Sequence, residues 1–308
     1  MGHTAPMEPA RSTRQDMIGI LWMLATGLCF VAVNGIVRWL GDELPPAQSA
    51  FIRFVFGLVF LAPVLARVSR DSVPVALWPR IGLRGALHVC AVLCWFYAMT
   101  RIPIAEVTAI GFLNPIVVTI GAALLLGERV SLARGAAIAV ALIGALIVLR
   151  PGMRAIDPGH LAQIAAALFF GSSYLVAKPL AERLPATLVV ALLGLVVTVG
   201  LAPLALWVWV PPTLAQIAAL GLVAIFATAA HYTMTRAFAA APLSVTQPVT
   251  FLQLIWASLL GAAVFAEPVD AYVLLGGALM IGAISAITLR EARKRRRQIT
   301  PPPAATKG

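Results

Sequence analysis

The 308-residue chain is 61% hydrophobic and 11% charged, with a mean hydropathy of +0.94. Soluble domains are about half apolar and about a quarter charged, so this excess excludes a water-soluble globule and leaves the bilayer as the solvent. The net charge of +11 does not mark a nucleic-acid partner, because the basic residues lie between apolar runs and in the terminal stretch REARKRRRQ rather than on a foldable domain.

Residues 1–16 read as a disordered N-terminus. Ten apolar segments follow, near 17–37, 47–66, 81–99, 104–126, 133–149, 159–178, 187–209, 213–235, 241–265 and 270–289. A helix rises about 1.5 Å per residue, so each is long enough to cross about 30 Å of hydrocarbon. The connections are short and carry Pro, Gly and charge, and residues 290–308 form a basic tail. That tail fits attraction to anionic lipid, with a plain solvated tail as the alternative. The expected fold is an all-α polytopic membrane protein.

Polar groups inside spans are costly in hydrocarbon and are the candidate site residues. In chain order they are Asn34 in the first span and Arg53 about two turns into the second, where it either snorkels or faces a cavity. The third carries Arg84 in its first half, and His88 and Trp95 seven apart on one face. Asn114 precedes Pro115 in the fourth, which predicts freed backbone carbonyls in mid-span. The sixth has Ser172, Ser173 and Tyr174; the eighth has Thr228, His231 and Thr235 at helical spacing; the ninth has Gln247, Gln253 and Trp256. The fifth and tenth instead carry small-residue rows, Ala137, Ala141, Ala145 and Ala278, Gly282, Ala286, which suit close helix packing or a homodimer contact. Cys29, Cys90 and Cys94 lie within apolar runs and read as small core residues; with His88 they still fall short of a closed zinc site. Glu106, Glu128 and Glu267 fall at span ends and read as loop or cap residues.

The chain repeats itself. GLCFVAVNGIVRWLGDELP (27–45) and ALFFGSSYLVAKPLAERLP (167–185) align Leu28 with Leu168, Phe30 with Phe170, Asn34 with Tyr174 and Pro45 with Pro185. Gly19 and Gly159 keep that register, and the fourth and ninth spans align Pro103 with Pro242, Phe112 with Phe251 and Glu128 with Glu267. The third and eighth both end in Tyr-x-Met-Thr-Arg (Tyr97, Tyr232). The repeats are 17–149 and 159–289. Each holds five spans, an odd number, so the second copy is inverted relative to the first. Inverted repeats build two mirrored gates around a central site.

Orientation follows from Lys and Arg. With the N-terminus inside, only Arg38, Arg101, Arg150 and Arg154 of the 23 fall outside, and Arg53 lies within a span. Both termini are therefore expected in the cytoplasm and the protein in the inner membrane.

Ten spans as five plus five, with the endings GAALLLGERV (121–130) and GAAVFAEPV (261–269), resemble the EamA-type transporters of the drug/metabolite transporter superfamily. The resemblance covers about residues 17–290. In the second half Gln253-Leu254 replaces Asn114-Pro115 and the proline stands at Pro248, a departure from exact mirror symmetry. The resemblance implies movement of a small metabolite: amino-acid-like, S-adenosylmethionine-like or riboflavin-like. The residues add that the deep groups include no carboxylate, which disfavours cations and suits an anionic or zwitterionic molecule. Substrate contacts are expected from Asn34, Arg53, His88, Trp95, Asn114, Tyr174, His231, Thr235, Gln247 and Gln253. No phosphate-binding loop, H-E-x-x-H or G-x-S-x-G is present, so no ATP hydrolysis, catalytic residue, metal or cofactor is expected. The alternative reading is a membrane assembly protein that moves nothing.

Overall fold

The computed structural model describes residues 13–67, 73–126, 132–153, 155–181, 183–241, 243–246 and 249–299. The first half contains α1 (Thr13–Leu40), α2 (Pro46–Leu65), α3 (Trp78–Arg101), α4 (Ile104–Gly111), α5 (Asn114–Leu126) and α6 (Leu132–Leu149). The second contains α7 (Pro158–Ala181), α8 (Ala186–Trp207), α9 (Leu214–Ala240), α10 (Leu243–Thr246), α11 (Thr250–Phe265) and α12 (Ala271–Ile299). Seven helices are long and apolar enough to cross a membrane alone, and shorter apolar helices over Ile104–Val118, Gly135–Leu149 and Thr250–Phe265 complete ten spans.

Proline sets several boundaries. Pro46 and Pro79 open α2 and α3, where a missing N–H costs nothing. Asn114-Pro115 breaks the fourth span into α4 and α5, with Phe112 and Leu113 in a turn whose amides reach back three residues to Ala109 and Ile110. Proline has no N–H to give and disfavours the α region in the residue before it. In the ninth span α10 ends at Thr246 and α11 starts at Thr250, and residues 247–248 between them lie outside the described residues. Two helices run past their expected ends. α1 begins at Thr13 with Asp16 complementing its N-terminal dipole, and α12 continues through the first ten residues of the basic tail.

The packing pattern has the symmetry of the repeat. Exchanging the halves exchanges α1 with α7, α2 with α8, α3 with α9, α4–α5 with α10–α11, and α6 with α12. The most extensive contacts are α3 on α7, α1 on α9, α6 on α12 and α2 on α8. Exchange converts the first of these into the second and returns each of the last two to itself. The α5 on α7 contact likewise maps onto α1 on α11. Every one of these contacts joins the two halves, so neither half buries its apolar faces alone. The fold is a 5+5 inverted repeat.

Three expectations are corrected. On α12 the row Ala278, Gly282, Ala286 is exposed and does not pack within the chain, which leaves only the homodimer contact open for it, while Val273, Gly276, Met280 and Ala283 are buried. Gly276 meets Gly144 of α6 so closely that a Cβ on either would press on the other's carbonyl oxygen. Both rows carry small residues, so spacing alone could not choose between them; Ala141 and Ala145 on α6 do pack as expected. Cys90 is exposed, not core, although all three cysteines are free thiols. Arg84, counted with the inner-side cations, is held inside the fold: it is 8% exposed and donates from Nη1 to the Val189 carbonyl of α8 at 3.2 Å.

Gly276→Val should therefore destabilise the α6–α12 seam, by about 1–3 kcal/mol for an overpacked contact. Gly282→Val, where an added Cβ meets nothing within 4 Å, should leave the thermal midpoint in detergent unchanged. Equal effects of the two would refute the assigned face.

Candidate functional site

A cavity of about 410 Å³ lies between the repeats, with walls from both. Eight of the ten candidate residues line it: Asn34 from α1, Arg53 from α2, His88 and Trp95 from α3, Asn114 from α5, Tyr174 from α7, His231 from α9 and Gln253 from α11. Thr235 lies on α9 with its side chain outside the described residues, and Gln247 lies outside them altogether. Thr228 does not join the site. It is exposed and turns its hydroxyl back to the Ala224 carbonyl at 2.8 Å.

The walls are mainly aromatic. His88 meets the edges of Phe170 at 5.1 Å and Phe54 at 6.1 Å, and His231 meets Phe30 at 5.8 Å. Phe170 and Tyr174 lie nearly parallel, 16° apart, at 6.3 Å. Phe112, freed by the α4–α5 break, adds another face. Among the described lining residues Arg53 is the one permanent cation and none is a carboxylate. Its guanidinium stacks on Phe54 at 4.3 Å and has no ion-pair partner among the described residues. It faces the cavity rather than snorkelling to the surface.

The amides complete the lining. Asn34 donates to Thr108 Oγ1 at 3.3 Å. Gln163, which sequence reading missed, is 3% exposed and donates from Nε2 to the Val107 carbonyl at 3.1 Å. Its Oε1 and the Asn114 Oδ1 are buried without a donor. A signal was there: Gln163, Phe170 and Tyr174 fall at helical spacing on one face, and the repeat pairs Met23, Phe30 and Asn34 with them.

At the end where α1 finishes at Leu40, three ion pairs among the described residues each join one repeat to the other. Arg38 Nε lies 3.0 Å from Glu267 Oε1, whose other oxygen accepts from the Ile104 amide at 2.9 Å. Glu106 Oε2 lies 2.5 Å from His160 Nε2, and Arg150 pairs with Asp270. Gln48 bonds both polar groups of Val210, and Gln216 donates to Glu43, again across the repeat. Glu106, in the first turn of α4, and Glu267, in the connection before α12 where it accepts the Ile104 amide, stand at span ends as expected, and each also pairs across the repeats; Glu128 lies outside the described residues. These contacts join the two repeats at that end. Among the described residues no ion pair joins the repeats at the opposite end. There Thr26 meets Thr233 at 2.9 Å and Gly19 packs on Ala241.

The sequence matches the EamA-like transporter family twice, over residues 17–150 and 157–289. A riboflavin transporter of Rhizobium johnstonii is 33% identical over 94% of this chain and 96% of its own length. One of Vibrio cholerae is 32% identical over 91% and 96%. An S-adenosylmethionine uptake transporter of Rickettsia bellii is 24% identical over 92% and 97%. One solved crystal structure superposes with a TM-score of 0.59 at 21% identity, over 92% of this chain and 99% of that one, a likeness of fold alone. With two family matches, ten spans and a cavity between the repeats, this chain belongs to the EamA-like transporter family of multi-pass membrane proteins.

Proposed function

We propose that this chain is a secondary transporter that carries a planar, ring-bearing metabolite of the riboflavin class across the inner membrane by alternating access. The observation that carries this reading is the central cavity: aromatic walls, one unpaired guanidinium, amide groups and no carboxylate among its described lining. Aromatic faces suit a flat ring system. A guanidinium offers a planar fork of N–H donors that suits ring carbonyls or an anionic substituent, and it repels a cation. The charge of Arg53 therefore disfavours a sulfonium compound, and the relatives at 33% and 32% identity that are named riboflavin transporters support the same choice. Both termini are assigned to the cytoplasm on the distribution of Lys and Arg, which makes the ion-paired Leu40 end the outer one. In that orientation the cavity lining reaches inward at Met234, Thr250 and Ile284, which supports the reading of a state closed to the outside.

Sealed vesicles containing only this protein should accumulate or release labelled riboflavin, with unlabelled flavins competing and amino acids not. No movement of any ring metabolite in that format would favour the assembly-protein reading. Arg53→Ala should weaken substrate affinity by about 1.5–3 kcal/mol, the worth of a hydrogen bond to a charged group. Arg53→Lys, a point charge without the fork, should weaken it less. Unchanged affinity in correctly inserted Arg53→Ala would remove Arg53 from the binding role.

The orientation has its own test. A single cysteine at Asp42, in a background without Cys29, Cys90 and Cys94, should react in intact cells with a membrane-impermeant thiol reagent. Protection at Asp42, with labelling of a cysteine at Arg67, would reverse the assignment.

A further inference from the structure

His88 is set in the central cavity by a neighbour outside the lining. Its Nδ1 lies 3.4 Å from the Oγ of Ser173 on α7, a residue with no exposed surface. The same hydroxyl lies 3.3 Å from the carbonyl oxygen of Arg84, one turn before His88 on α3. Phe54 and Phe170 meet the imidazole from two sides and fix its plane. Nε2 has no hydrogen bond among the described residues, and the ring lines the cavity.

Proton counting assigns the hydrogen of this ring. A serine hydroxyl donates one proton and can accept another group's; a carbonyl oxygen only accepts. The Ser173 proton therefore goes to Arg84, and Nδ1 donates to Oγ. Were Ser173 to donate to Nδ1 instead, its oxygen and the Arg84 carbonyl oxygen would face each other with no proton between them. A neutral imidazole that donates at Nδ1 accepts at Nε2.

The repeat shows that packing does not require this pair. In the register that aligns Tyr97 with Tyr232 and Phe30 with Phe170, His88 falls on Val223 and Ser173 on Val33, both buried. The α1 and α9 helices thus carry two valines where α7 and α3 carry a hydroxyl and an imidazole. Arg53 stacks on the same Phe54 ring that meets His88, so a group with donors only and a group with a bare acceptor flank one aromatic ring.

We propose that Ser173 is a positioning residue that holds His88 as the Nδ1–H tautomer, and that His88 Nε2 accepts a ring N–H of the substrate beside a carbonyl or anionic oxygen held by Arg53. The ligand edge this selects is that of a lactam or imide ring, with N–H next to C=O. The inference rests on the transporter reading for its substrate, while the tautomer is measured without one.

The full chain, carrying nitrogen-15 only in histidine, is purified into lipid and kept at about pH 8, above the ordinary histidine value of about 6.5, so that the ring is neutral. Nitrogen resonance separates a protonated ring nitrogen from a bare one. The His88 signals, identified by their loss in His88→Gln or by their shift in Ser173→Ala, should show a proton on Nδ1 and none on Nε2. Ser173→Ala should move that proton to Nε2. A proton on Nε2 in the unmodified chain, or an unchanged tautomer in Ser173→Ala, would overturn the proposal. In sealed vesicles a flavin methylated at its imide nitrogen should compete with labelled riboflavin about tenfold more weakly than riboflavin itself, and in Ser173→Ala the two should compete within about twofold of each other. Equal competition in the unmodified protein, or full discrimination in Ser173→Ala, removes the acceptor role of Nε2. If no flavin moves at all, the substrate reading fails, and the tautomer is still decided by resonance.

Discussion

Hydrocarbon offers no hydrogen bonds, so each polar side chain within a span must be met by the protein itself or by the molecule the protein carries. This constraint sorts the deep groups of the chain into two sets. Arg38, Glu106, His160 and Glu267 are matched within the protein, across the interface between the repeats. Arg53, the Asn114 carbonyl oxygen and the Gln163 carbonyl oxygen are not, and all three residues line the central cavity. The first set joins the repeats at one end. The second faces the central cavity.

The two sets also reconcile a symmetric scaffold with an asymmetric state. The helix contacts map onto themselves when the halves are exchanged, as an inverted repeat requires. The ion pairs among the described residues do not, since all three lie at the Leu40 end. A scaffold whose two ends are related by symmetry has no backbone reason to close at one of them. Among the described residues, the difference between the two ends comes from side chains.

The sequence made much of this legible, for a physical reason: a span is specified by length and hydropathy, and a repeat by register. The ten spans, the five-plus-five division and the break at Asn114-Pro115 all follow from such local signals. Eight candidate polar residues line the cavity because polar groups in apolar runs have few other places to be. What stayed hidden was pairing. Glu106 and His160 are 54 positions apart, and neither carries a local mark of the other, so a span-end carboxylate looks like a cap until the folded chain supplies its partner. The seam on α12 was hidden differently, because two small-residue faces a third of a turn apart look alike until α6 selects one.

Gln163 shows how the repeat permits specificity. Its counterpart in the first half is Met23, and both line the cavity, as do Phe30 with Phe170 and Asn34 with Tyr174. Backbone register is preserved at all three pairs, while chemistry is preserved only at the phenylalanines. The aromatic pair gives the two sides of the cavity similar walls. The unlike pairs place the amide of Asn34 against the phenol of Tyr174, and the thioether of Met23 against the amide of Gln163, at positions related by exchange of the halves. Two identical halves would offer the same groups on both sides of the cavity. Substitution at matched positions makes the two sides chemically different while leaving the register of the repeat intact.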